Sequence, residues 1–159
     1  MNPTSNWTAG TVALSDDDNN TALFTATGLK PGSTGTNCIT VTSTGSLAST
    51  VKLYGTNPAT TNNLASNINL TIEQGTGGGF GSCTGFTPAT TSGTLYSGTV
   101  AAFGSASTNF ATGVGTWAPT GSASESKVYR VTYTVPTAAP NTIQGGTASL
   151  GLTWEAQNS

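Results

Sequence analysis

Lys127-Val128-Tyr129-Arg130-Val131-Thr132-Tyr133-Thr134-Val135 is the stretch on which the fold class turns. Tyr129, Val131, Tyr133 and Val135 fall on one face, and Val128, Arg130, Thr132 and Thr134 on the other. That period of two is the pattern of a half-buried strand, and aromatic and β-branched side chains suit a pleated surface. Pro136 ends the run because proline cannot donate to a ladder.

The same pattern recurs outward from this strand. Towards the carboxyl end, Thr147 to Ala156 places Ala148, Leu150, Leu152 and Trp154 inward. Upstream, Ile68, Leu70 and Ile72 alternate in a strand ending at Gln74. Leu47 to Thr56 turns Val51 and Leu53 inward and leaves Lys52 and Tyr54 outside or at an edge. Thr36 to Thr44 turns Ile39 and Val41 inward, with Cys38 on the other face or at the rim. Thr8 to Leu14 and Thr21 to Thr25 are the first strands, separated by a polar turn from Ser15 to Asn20. Pro31-Gly32 suits the centre of a type II turn. Thr60 to Ser66 reads as one helical turn or a loop, and Ser97 to Phe103 as a short helix with Ser97 as its N-cap. Gly75 to Ser92 is a long polar loop. The expected fold is all-β: a single-domain antiparallel jelly-roll sandwich with long polar loops and at most short helices. The domain spans residues 8–159, and residues 1–14 form an amino-terminal segment and first strand.

Composition narrows the function. Of 159 residues, 6% are charged, against roughly 25% in an average soluble chain. Threonine makes up about one residue in five, there are 21 glycines, and histidine is absent. No apolar run reaches the roughly 18 residues of a membrane span. Four basic residues and a net charge of −2 leave no basic patch for nucleic acid. Without histidine there is no Ser-His-Asp or Cys-His nucleophile, no HExxH zinc site and no imidazole switch. The many β-formers argue against disorder.

Individual residues offer few chemical sites. Cys38 and Cys83 are too far apart in sequence for a CxxC pair or a zinc knuckle. A disulfide is the preferred reading, because the composition looks extracellular, and two buried free thiols are the other. Met1-Asn2-Pro3-Thr4-Ser5 has no leader character, so Met1 begins either a cytosolic protein or a chain whose leader has been removed, the second being preferred. Asp16, Asp17 and Asp18 supply hard oxygen ligands and are the calcium candidate, although without EF-hand spacing; a plain turn is the simpler reading. Glu73, Glu125 and Glu155 fall near strand ends and read as solvated rim carboxylates rather than a glycosidase pair. Gly75-Thr76-Gly77-Gly78-Gly79 lacks the ending of a phosphate loop. Among Lys30, Lys52 and Lys127, Lys52 is the best isopeptide candidate, beside the plainer reading of a snorkelling side chain. Trp154 belongs with the core, and Trp7 either anchors in a neighbouring subunit or folds back. The sequons at Asn6, Asn19 and Asn69 are expected by chance in such a chain. No catalytic residue and no cofactor is expected.

Three segments, in order, resemble the TasA/camelysin family of secreted bacterial proteins. They are Trp7-Thr8-Ala9-Gly10-Thr11-Val12-Ala13-Leu14; Leu29-Lys30-Pro31-Gly32-Ser33 with Ile39-Thr40-Val41 and Thr44-Gly45-Ser46-Leu47-Ala48; and Trp154-Glu155-Ala156-Gln157-Asn158. They bracket nearly the whole chain, and residues 57–126 carry no match. The resemblance implies a jelly roll, secretion to the extracellular matrix or cell surface, and polymerisation into biofilm matrix fibres. In such fibres the amino-terminal segment of one subunit adds a strand to the next, head to tail. Asn2, Pro3, Thr4, Ser5, Asn6 and Trp7 are the polymerisation residues on this reading. They are fewer and more polar than family donor segments, which extend further upstream of the aromatic. The expected partner is the chain itself, with an accessory assembly protein as a further one, and neither nucleic acid nor a membrane span. A carbohydrate- or surface-binding adhesin is the alternative. A camelysin-like metallopeptidase is the second alternative; its zinc would need carboxylates alone, drawn from Asp16, Asp17, Asp18, Glu73, Glu125 and Glu155, a poor set for that metal.

Overall fold

The computed structural model describes residues 14–16, 23–27, 29–79 and 82–158, the first two stretches as backbone. Among the described residues, nine strands and one short α-helix follow in chain order: β1 (Leu14–Asp16), β2 (Leu23–Thr27), β3 (Thr34–Ser43), β4 (Ser49–Thr60), β5 (Asn69–Thr76), β6 (Thr87–Pro88), β7 (Thr94–Thr99), α1 (Val100–Ala106), β8 (Glu125–Thr134) and β9 (Thr147–Asn158). Every pairing among them is antiparallel. The larger sheet runs β1-β3-β8-β5, with β6 and β7 both against the far side of β5; the smaller runs β2-β9-β4.

Alternation assigns the faces. Ile39 and Val41 of β3, Leu70 and Ile72 of β5, and Tyr129 and Val131 of β8 turn towards Val51 and Leu53 of β4 and Leu150, Leu152 and Trp154 of β9, forming one core. The Tyr129 and Trp154 rings meet across the two sheets with centroids 5.4 Å apart. Burying a side chain of this size contributes about 1.5–3 kcal/mol. α1 closes the core from the side, through Val100 and Phe103. The Tyr96 ring packs edge-on against Phe103 at 4.9 Å.

The turn at Pro31-Gly32 forms as expected: Gly32 has φ +91°, and the Ser33 N–H donates to the Lys30 carbonyl at 2.9 Å. β4 runs further than its sequence pattern, to Thr60, through a bulge between Thr56 and Ala59 where Asn57 takes a positive φ.

The expected helix needs correcting. Ser97 does not cap it; Ser97 pairs with Thr71 in β7, and the helix starts after Thr99, whose hydroxyl accepts from the Ala102 N–H at 3.1 Å. The ladder of β5 holds the chain extended as far as Thr99, so the capping role falls to the next hydroxyl. Ser15 and Asp16 also depart from the expected turn, since both pair with β3. The rest of the expected first strand, residues 8–13, lies outside the described residues.

Candidate functional site

The edges of the two sheets and their outer faces are where this fold meets its surroundings. The free side of β4 is sealed by residues 107–119. Alternate N–H groups of β4 each find a carbonyl there: Ser49 on Pro119 at 3.0 Å, Val51 on Trp117 at 2.9 Å, Leu53 on Val114 at 2.8 Å and Gly55 on Ser107 at 2.8 Å. Val114 N–H returns a bond to the Leu53 carbonyl at 2.8 Å, and Lys52 Nζ donates to Gly115 O at 2.9 Å. Trp117, 7% exposed, anchors this cover in the core. At the far side of the larger sheet, the six-residue β7 pairs with β5 through a register shift, and the Tyr96 hydroxyl donates to the Thr99 carbonyl at 2.7 Å. Bulges and short lengths are how natural edges avoid unwanted pairing.

The amino-terminal edges differ. Among the described residues, the 3-residue β1 meets only Val41–Ser43 of the 10-residue β3. The 5-residue β2 meets only Thr147–Gly151 of the 12-residue β9.

On the outer face of the larger sheet, Cys38, Arg130 and Glu73 stand in one cross-strand row. Glu73 takes two bonds from Arg130, at 2.8 and 2.9 Å. The Phe86 ring lies under the guanidinium, 4.6 Å from its centroid. Cys83 is bonded to Cys38, so the disulfide reading holds. A loop closed by a bond 45 residues apart restricts the unfolded chain by about 4 kcal/mol on the chain-entropy model. β6 helps hold the loop, and it fits because Gly75 has no side chain: a Cβ there would come within 2.0 Å of the Thr87 carbonyl oxygen.

On the outer face of the smaller sheet, Glu155 is 8% exposed. It accepts from the Tyr54 hydroxyl at 2.7 Å and from Gln157 Nε2 at 2.8 Å. This corrects its reading as a solvated rim carboxylate: Tyr54 of the flanking β4 and Gln157 of its own strand supply donors that replace water. Burial, reinforced by the Glu155 bond and charge, pushes Tyr54 up to about 12. Glu125 accepts from the Thr120 N–H at 2.6 Å and hydroxyl at 2.9 Å, and these bonds hold its carboxyl below its ordinary value. Glu73 and Glu155 therefore stand on opposite outer faces, with the whole sandwich between them.

Of the other sequence candidates, Asn2, Pro3, Thr4, Ser5, Asn6, Trp7, Asp17 and Asp18 lie outside the described residues. Asp16 is placed by its backbone opposite Val41. Lys52 is occupied with Gly115 O. Among the described residues no helix is long and apolar enough to cross a membrane, and no group of three or more acidic or sulfur side chains is placed to hold a metal ion.

No protein-family model and no curated protein matches the chain. Its functional reading therefore rests on the residues and their geometry. The seal over β4 is the feature that reading the sequence missed. Its signal was present only faintly, as Trp117 in a stretch without alternation.

Proposed function

We propose that this chain is a secreted structural subunit, a jelly roll similar to the TasA family, that assembles head to tail into extracellular fibres by strand donation. The strand order supports the jelly-roll reading. If residues 107–119 count as the fourth member, one layer is β2-β9-β4-(107–119) and the other contains β3-β8-β5-β7, with β1 beyond β3 and β6 beside β7. That order is the one expected of two Greek keys in a jelly roll, which supports the reading. The disulfide supports an oxidising destination. The near-neutral, hydroxyl-rich surface supports close lateral packing with little repulsion.

The observation that carries the reading is the contrast between edges. β4 is closed by residues 107–119 of its own chain, whereas the described cover of β3 is a three-residue strand from the amino-terminal end. A strand whose described pairing is this short is the piece most readily exchanged for an equivalent strand from another copy. Electron microscopy of the full chain beside a variant lacking residues 1–16 tests it. Filaments from the full chain that vanish in the variant are expected. If neither forms fibres under any condition, strand donation is wrong for this protein. A saturable glycan titration of a persistent monomer would move the reading to an adhesin.

A further inference from the structure

The turn from Cys83 to Phe86 does more than shorten a loop. It is closed by the Phe86 N–H on the Cys83 carbonyl at 2.9 Å, with Gly85 at φ +84° in its third position. Its first residue is bonded to Cys38 and its last is stacked on Arg130. It thus covers Cys38, which has no exposed surface, and the Arg130 side chain, which is 30% exposed. All of this lies on the outer face of the larger sheet, while the hydrophobic core lies on the inner face. Among the described residues the remaining ties around the turn are the two β5–β6 pairs, the Ala89 N–H on the Gln74 carbonyl at 2.9 Å, the reciprocal Gly79–Ser82 backbone bonds at 2.8 and 3.0 Å, and one cation–ring contact to Phe86; none of them is covalent.

We propose that the Cys38–Cys83 bond is a redox-operated clasp: its reduction lifts the Cys83–Phe86 turn and uncovers Cys38, Arg130 and Glu73, while the sandwich stays folded. The chemistry is thiol–disulfide exchange with a dithiol. Cys83 is half-buried and Cys38 fully buried, so the first thiolate attacks Cys83 Sγ. The Cys38–Cys83 bond breaks, a mixed disulfide forms on Cys83, and Cys38 leaves as a thiolate that takes up a proton. The second thiol of the reductant displaces Cys83, which is protonated in turn, and the reductant becomes a cyclic disulfide. Two electrons and two protons pass to the protein. In a reducing compartment the outer face is open, and in an oxidising one it is shut. The inference does not depend on fibre formation.

The test is hydrogen exchange with mass spectrometry on the full chain, oxidised and in dithiothreitol, with alkylation to count thiols and circular dichroism to follow the fold. Reduction is expected to speed exchange in peptides spanning 82–88 by about tenfold or more, while those of β8 and β9 hold their protection. Brief exposure to a monothiol is expected to place the trapped adduct on Cys83. A Cys38→Ala/Cys83→Ala variant should show the open pattern with or without reductant. Unchanged exchange over 82–88 on reduction would overturn the proposal, because the turn would then hold itself. So would loss of the sheet signal on reduction and in the double variant, which would make the bond a staple of the whole fold. An adduct on Cys38 would overturn the order of attack.

Discussion

The sides of β4 and β3 that face away from their sheets' interiors meet the same problem in different ways. Each is a row of backbone donors and acceptors that needs partners. β4 is closed by residues 107–119, which come from the same chain, make four N–H bonds at 2.8–3.0 Å with alternate residues of the strand, and are anchored by Trp117 in the core. β3 is met by β1, whose described pairing covers three positions. The difference teaches that an edge can be sealed without a regular strand, provided carbonyls fall at the right places and one large side chain holds the segment down. It also sets the cover of β4 apart from the short described pairing on which the proposed strand donation would act.

The largest effect should come from removing the anchor. Trp117→Ala is expected to cost about 3–5 kcal/mol in urea denaturation, the range for truncating a large buried aromatic. A loss under about 1 kcal/mol would mean that the segment is held by its backbone bonds alone.

Proline at matched positions of the two covers sharpens the contrast. Val114→Pro deletes the donor to the Leu53 carbonyl and is expected to cost about 1–3 kcal/mol, the penalty of an unsatisfied buried acceptor, with increased self-association in size-exclusion chromatography. Ser15→Pro in β1 is expected to cost about 1 kcal/mol or less, since proline is tolerated at sheet edges. Equal losses would erase the distinction between the two edges.

The smallest effect is a pH dependence on the sealed side. Tyr54 is raised from 10.0 to about 12, mainly by burial and then by Glu155. The folded state therefore holds this proton more tightly than the unfolded chain. Its contribution is fully present below pH 10 and is lost as the pH climbs to about 12. The melting temperature should fall across that window, and Tyr54→Phe should flatten part of the fall. Burial also raises Tyr96 and Tyr129, so a remainder persists in the variant. A variant with an unaltered slope would show that the Tyr54–Glu155 contact is not coupled to folding.

Much of the fold was readable along the chain. β8, β9 and the inward faces of β3 and β4 followed from alternation, and the turn at Pro31-Gly32 from its two residues. The cap of α1 was misplaced because Ser97 and Thr99 are equally good caps locally, and only the ladder to Thr71 and Asn69 decides between them. Glu155 was misread because its donor Tyr54 reaches it only when β4 lies beside β9, adding to Gln157 two residues along the same strand. The seal over β4 was hidden for a related reason. Its side chains follow no period, since what matters there is where its carbonyls point.

By itself the amino-acid sequence determined the strand-forming stretches, their buried faces and the absence of imidazole chemistry. These depend on residue identity and on the period of two in the pleat, which are properties of neighbours in the chain. The tertiary structure decided which strands share a sheet, which edges are closed, that Cys38 meets Cys83, and which partners bury Glu155. Those outcomes depend on contacts between residues far apart in the chain, and a local pattern carries no record of what will be packed or bonded against it.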